Sequence, residues 1–257
     1  MPHTLDLSGK VAVVTGGSRG IGRAVALRLA QDGAAVAVNY RADRDAADAV
    51  VAELTGQGRR AVAIRADVSD PEQTGVLMDQ AATALGGLDI LVSNAGIEHF
   101  GALADITPAD FDRVFATNTR GQLFAVQHAA RHLADGGRIV LMSSVSARKS
   151  VFHHTLYAAS KAAVEAMALN LAPELAKRGI TVNAIAPGGT RTDMSAEVSH
   201  HYAHPDLPVP PDAALRAMIA IGRLAEPAEI AATISFLVSP EAGYLTGRTI
   251  PVDGGFF

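Results

Sequence analysis

The run V-A-V-V-T-G-G-S-R-G-I-G, Val11 to Gly22, decides the fold of this chain. Val11 to Val14 are apolar and mostly β-branched, which suits a strand covered on both faces. Glycines then fall at Gly16, Gly20 and Gly22, and a helical pattern runs from Ile21 to Asp32. The G-x-x-x-G-x-G spacing differs from G-x-G-x-x-G, but the physics is the same. Glycine permits a sharp turn and the close approach of a pyrophosphate, while the following helix offers free N–H groups and its positive dipole end. Gly16, Ser18, Arg19, Gly20, Ile21 and Gly22 are therefore expected to hold a dinucleotide.

Outward from this unit, short apolar runs alternate with longer helical patterns. Strands are expected at Val11–Thr15, Ala35–Asn39, Ala61–Ala66, Ile90–Ser93, Arg138–Ser143, Thr181–Ala186 and Thr249–Val252. Helices are expected near Ile21–Asp32, Arg44–Thr55, Pro71–Leu85, Pro108–Leu133, Thr155–Arg178 and Pro227–Leu237. Regular βαβ alternation implies an α/β fold, a doubly wound, Rossmann-type parallel sheet of about seven strands with right-handed crossovers. No linker, repeat or low-complexity tract divides residues 1–257, so one domain is expected. The segment from Gly188 to about Gly222 breaks the rhythm with Pro205, Pro208, Pro210 and Pro211 and with His200, His201 and His204. It follows the carboxyl end of a strand, where open α/β sheets bind ligands, and reads as a substrate lid.

Composition narrows the setting. The 257 residues are 49% apolar with a formal charge of −4 and no cysteine. Disulfides, thiolate zinc sites and thiol catalysis are thereby excluded. No basic footprint for nucleic acid and no apolar run near the roughly 20 residues of a membrane span are present. The start lacks the apolar core of a signal peptide. A cytoplasmic protein acting on a small molecule is expected. No acid stands among His200, His201 and His204, so no metal is expected there.

The second informative stretch is L-Y-A-A-S-K-A-A, Leu156 to Ala163. Tyr157 and Lys161 lie four apart, on one face of a helix. A nearby ammonium favours the phenolate, so Tyr157 is expected to have a lowered pKa and to act as an acid or base. Ser143 and Ser144 close the fifth strand, where a hydroxyl can polarise a substrate carbonyl. The second strand ends in Asn39-Tyr40-Arg41. An acid in this place accepts from a ribose 2′-hydroxyl and repels a 2′-phosphate. Neutral Asn39, with Arg19 and Arg41 at hand for charge-assisted bonds, favours NADP(H). Asp67-Val68 and Asn94-Ala95-Gly96 follow the third and fourth strands, positions suited to the adenine and to close cofactor passage.

Together these residues resemble the short-chain dehydrogenase/reductase family over nearly the whole chain. The likeness adds Asn118, Pro187-Gly188-Gly189-Thr190-Arg191-Thr192 and Val252-Asp253-Gly254-Gly255; Ser93 stands where many members carry a second Asn. The resemblance implies a tetrad of Asn118, Ser144, Tyr157 and Lys161. Tyr157 would protonate the carbonyl oxygen while Ser144 steadies it, Lys161 would bind the nicotinamide ribose, and Asn118 would hold a relay water. Pro187, Gly188, Thr190 and Thr192 would touch the cofactor. Family members are commonly tetramers built on the helices that carry Asn118 and Tyr157, so a homotetramer or homodimer is expected.

A narrower likeness joins Ala186 to Met194 and Tyr202 to the lid of polyhydroxynaphthalene and versicolorin-type reductases. It implies an NADPH-dependent ketoreductase of polycyclic aromatic, polyketide-type substrates, with Gly188, Met194 and Tyr202 at the substrate and Phe100 and Phe152 as further walls. Two alternatives share the scaffold: a 3-oxoacyl-carrier-protein reductase, with Arg120, Arg148 and Lys149 as a basic mouth, and a sugar or steroid alcohol dehydrogenase. A nucleotide sensor without catalysis needs no proton donor, and the intact tetrad argues against it.

Overall fold

In the computed structural model, residues 5–202 and 210–256 are described. His204, Pro205 and Pro208 of the expected lid lie outside them. Seven parallel strands form one sheet in the order β3-β2-β1-β4-β5-β6-β7. They are β1 Val11–Val14, β2 Ala35–Tyr40, β3 Ala61–Arg65, β4 Leu88–Ser93, β5 Leu133–Met142, β6 Thr181–Pro187 and β7 Thr249–Val252. The order reverses between β1 and β4, which pair in register at Ala12–Ile90 and Val14–Val92. A doubly wound sheet opens its ligand crevice at this point.

The strands feed two cores, one on each face of the sheet. On one face Val14, Val36, Val38 and Val140 pack on α1 (Gly20–Gln31), α2 (Arg44–Gly56) and α9 (Pro227–Val238) through Val25, Leu29, Leu54 and Ile234. On the other, Val13, Ala37, Leu91 and Leu141 pack on α3 (Pro71–Leu85), α5 (Gly121–His132) and α6 (Thr155–Leu175) through Leu77, Met78, Val126 and Val164. The alternation within β1, β2 and β5 is the period of a pleated strand. Because both faces are covered, the strands read as unbroken apolar runs.

The expected helix Pro108–Leu133 is not continuous. It divides into α4 (Pro108–Phe115), a π-helical turn at Ala116–Arg120, and α5. Likewise α6 ends at Leu175 and passes into a 3-10 turn, Ala176–Arg178. After β6 come α7 (Asp193–Val198), a 3-10 turn at Ser199–His201 and α8 (Pro211–Ala217). These short pieces lie over the carboxyl ends of the strands, where the sequence places a lid. Among the described residues, no helix is long and apolar enough to cross a membrane.

Candidate active site

A cleft of about 430 Å³ runs across the carboxyl ends of the strands. Its floor at one end is the Gly-rich turn. Gly16 and Gly20 hold φ of +60° and +53°, in the left-handed region that favours glycine. A Cβ on Gly22 would stand 2.1 Å from the Gly16 carbonyl oxygen and 2.6 Å from Asn94 Nδ2. Arg19 occupies the N-cap of α1 with no side-chain cap, and no acid stands in the first turn. The uncapped N–H groups and the dipole end therefore face the cleft, which suits a dinucleotide pyrophosphate.

The turn is braced from behind. Asn94 Nδ2 donates to the carbonyls of Thr15 (2.9 Å) and Gly16 (3.2 Å), and Thr15 Oγ1 accepts from Asn94 and Ala95 N–H. Asn39 is 2% exposed. Its Oδ1 accepts from Gly16 N–H at 3.1 Å, and its Nδ2 faces the carbonyls of Tyr40, Ile64 and Ala66 at 3.1–3.3 Å. Asn39 thus lines the cleft while its amide is spent tying the Gly-rich turn to β2 and β3. Its neutrality serves these carbonyls, a reason the sequence reading did not supply. Arg19 and Arg41 are exposed at the cleft edge. Among the described residues neither has a carboxylate partner, and the nearby Asp43 caps α2 by accepting from Ala46 N–H. Asp67 accepts from Ser69 through Oδ1 alone and lines the cleft beside Tyr40 and Val68.

At the other end stand Ser144, Tyr157 and Lys161. Tyr157 and Lys161 share a face of α6, and the Lys161 ammonium sits 5.4 Å above the centre of the Tyr157 ring. Lys161 is 2% exposed and donates to the Met142 carbonyl at 2.9 Å. Burial lowers its pKa to about 8, against a raising influence of Glu98. The expected lowering of the Tyr157 pKa is not what this geometry produces. Burial raises it well above 10, the charge of Glu98 and Tyr202 raise it further, and a hydrogen bond with Ser144 opposes them. Lys161 lies over the ring rather than at the hydroxyl, and desolvation outweighs it. The Tyr157 hydroxyl is thereby held protonated.

The two serines differ. Ser143 lines the cleft, but its hydroxyl turns to the Lys161 carbonyl (3.0 Å) and Glu165 (3.3 Å). Ser144 reaches Tyr157 and accepts from Ser146 N–H at 3.2 Å. Asn118 is fully buried on the π-helical turn and does not line the cleft. It accepts from Ile97 N–H (2.8 Å) and donates to the Ile97 carbonyl (2.9 Å) and Ser160 (3.1 Å), so it holds the β4 exit from below.

Pro187, Gly188, Thr190 and Thr192 line the wall between the two ends, with Met194 and Tyr202 beyond them. Gly188 is pressed against Asp253, 2.8 Å from the place of a Cβ. Phe100 is not a wall of the cleft. It stacks beneath His154 (4.2 Å), and His201 stacks on its ring (4.7 Å) rather than reaching into the cleft. Phe152 also does not line the cleft. Sequence reasoning missed Glu98, which the fold joins to His154 at 2.7 Å beside Tyr157. It also missed Leu215, Leu224 and Phe256, apolar side chains that the chain brings back to the cleft from far along the sequence. An acid four residues beyond Asn94, at a strand's carboxyl end, was the available signal for Glu98.

The family model described as enoyl-(acyl carrier protein) reductase matches residues 16–257. The versicolorin reductase of Emericella nidulans is 47% identical over 257 residues, covering 98% of this chain and 97% of that protein. A hydroxynaphthalene reductase-like protein of Metarhizium brunneum is 46% identical over 97% of this chain and 96% of its own length. The crystal structure of landomycin C-6 ketoreductase with bound NADP and rabelomycin superposes with a TM-score of 0.85 at 38% identity, covering 97% of each chain. Cleft, sheet order and relatives agree along the whole chain, which therefore belongs to the short-chain dehydrogenase/reductase family of oxidoreductases.

Proposed function

We propose that this protein is an NADPH-dependent ketoreductase that reduces a carbonyl of a fused-ring, polyketide-type aromatic substrate, with Tyr157 as proton donor. The observation that carries the chemistry is a buried phenol kept protonated and touched by Ser144, at one end of a cleft whose other end offers free amides and two arginines with no carboxylate partner among the described residues. Bound NADPH supplies the hydride. The uncapped first turn of α1 receives the pyrophosphate, and Arg19 and Arg41 receive the 2′-phosphate by charge-assisted bonds. Lys161, already held by the Met142 carbonyl, has ammonium hydrogens left for the ribose hydroxyls. Ser144 orients the carbonyl oxygen, and Tyr157 gives it a proton as negative charge develops there. Asn118 positions the site through Ile97.

The substrate class rests on the far wall. Met194 is a soft, adaptable side chain, and Tyr202 and Phe256 offer flat apolar area. The similarity to versicolorin and hydroxynaphthalene reductases supports the same class. Two of the three cations needed for an acyl-carrier mouth are engaged: Arg148 pairs with Glu165 at 2.7 Å, and Arg120 donates to the Ser69 carbonyl. That alternative is correspondingly weaker. We place the enzyme in the cytoplasm, where NADPH is regenerated, as a homotetramer or homodimer. Exposed Phe111 on α4, Leu123 on α5 and Leu169 on α6 offer apolar contact on the helices concerned.

Steady-state assays test the substrate class. A tetralone or hydroxynaphthoquinone with NADPH is expected to show a higher kcat/KM than an acetoacetyl thioester or a simple sugar. The opposite order would leave the reductase chemistry and remove the aromatic substrate.

A further inference from the structure

Glu98 leaves the carboxyl end of β4 and brings a carboxylate, 12% exposed, into the cleft beside Tyr157. Its Oε2 accepts from His154 Nε2–H at 2.7 Å. The His154 ring is itself fully buried, stacked between Phe100 (4.2 Å, 7°) and Tyr157 (4.5 Å, 12°). Glu98 is thus fixed in direction by a rigid aromatic column that includes the proton donor. Its Oε1 accepts from the Tyr202 hydroxyl at 3.2 Å. That contact is long for an O–H···O bond, whose usual length is about 2.7–2.8 Å, and a carboxylate has about four acceptor sites. The Tyr157 hydroxyl is a further hydrogen-bond neighbour of this carboxylate, and the acceptor capacity left after it lies on the cleft that Glu98 lines.

Hydride transfer gives such a group little to do directly. Negative charge near the reacting carbonyl opposes the charge that develops on its oxygen. A buried carboxylate also costs free energy unless donors surround it. Both considerations turn its use from the chemical step to the binding of a donor. We infer that Glu98 is a specificity-determining residue: its carboxylate accepts a hydrogen bond from a phenolic or enolic hydroxyl of the substrate, near the carbonyl that Tyr157 protonates. This rests on the fused-ring reading above and refines it, since it selects hydroxylated ring systems over plain ones. Tyr202 fills the acceptor site when no such hydroxyl is present.

The test compares kcat/KM for 1-tetralone with that for its monohydroxylated derivatives, using full-length enzyme and NADPH. In parallel, binding of 1-naphthol and of naphthalenediols to the enzyme–NADPH complex is followed by quenching of NADPH fluorescence. The unmodified enzyme is expected to favour at least one hydroxytetralone by about ten- to a hundredfold, the worth of a hydrogen bond to a charged acceptor. Glu98→Leu should bring this ratio close to one, and Glu98→Gln, a neutral acceptor of the same shape, should lower it by at least about threefold. The preference for diol over naphthol in binding should shrink in parallel. If Glu98→Leu does not fold, Glu98→Gln decides alone. A ratio near one in the unmodified enzyme, or an unchanged ratio in the variants, overturns the assignment. If no tetralone is reduced yet diol binding depends on Glu98, the substrate reading fails and the assignment stands. If diol binding is indifferent to Glu98, the assignment fails whatever the turnover.

Discussion

At the residue scale, the chemistry depends on which forms of two side chains burial favours. Tyr157 stays protonated because desolvation and the Glu98 charge both raise its pKa. Tyr157→Phe keeps the ring and its stack on His154 but removes the transferable proton. It should lower kcat by at least about a hundredfold while NADPH still binds, as read by single-turnover kinetics and a fluorescence titration. Lys161 titrates near 8 when folded and near 10.5 otherwise. Its folded pKa is depressed, so the unfolded chain binds the extra proton between these values, and stability should rise with pH across that window. The rise is at most roughly 3 kcal/mol. Denaturation of the protein and of Lys161→Met at pH 7.5 and pH 10 isolates it; an equal pH dependence in both would refute the buried ammonium. Asn39 gives a third test. Asn39→Asp would replace an N–H donor by an oxygen facing the carbonyls of Tyr40, Ile64 and Ala66. A loss of about 1–3 kcal/mol in stability is expected, before any change of cofactor preference. A variant as stable as the parent would show that the amide is not held as described.

At the element scale, local signals were legible and distant pairings were not. The strand, Gly-rich turn and helix of Val11–Gln31 lie within one short stretch, so spacing alone revealed them. The same holds for Tyr157 and Lys161 on one helix face. The break of Pro108–Leu133 left no local mark, because Ala116-Thr117-Asn118-Thr119-Arg120 contains neither Gly nor Pro. The π-helical turn is instead held by distant groups: Asn118 on Ile97 and Ser160, Thr119 on the Ser160 carbonyl, and Gln122 on Met142. The pair Glu98–His154 escaped for the same reason, being 56 residues apart. The free N–H groups at the start of α1, by contrast, were expected from the Gly-rich turn that precedes it, and the uncapped N-terminus agrees. That end of α1 carries a further prediction. Gly22→Ala would set a methyl against the Gly16 carbonyl and Asn94. The turn must open, and NADPH affinity should fall by more than tenfold in a fluorescence titration. An unchanged affinity would mean that the close packing of α1 on the turn is not needed.

At the scale of the whole molecule, the cleft lies where the sheet order reverses, so a dinucleotide bound along it would touch both halves of the sheet. On the proposed reading its adenine end would lie by β2 and β3 near Arg41 and Asp67, and its nicotinamide end by the exits of β4, β5 and β6 near Gly96, Ser144 and Gly188, all of which line the cleft. A ligand bound by the folded state alone stabilises it according to its concentration relative to Kd. NADPH at about a hundred times Kd should add about 2.7 kcal/mol to unfolding. Arg19 and Arg41 stand exposed at the edge of the cleft and outside the two cores, and in the proposed role they would contribute only to a 2′-phosphate. Arg19→Ala combined with Arg41→Ala should therefore leave the stability of the free protein and the stabilisation by NADH nearly unaltered. At the same NADPH concentration the added stability should fall by about 1.4 kcal/mol for each tenfold loss of affinity. Thermal unfolding of both proteins with no cofactor, with NADH and with NADPH makes the comparison. An equal loss for the two cofactors would place the arginines on the pyrophosphate or the fold rather than on the 2′-phosphate, and the NADPH preference would need another source.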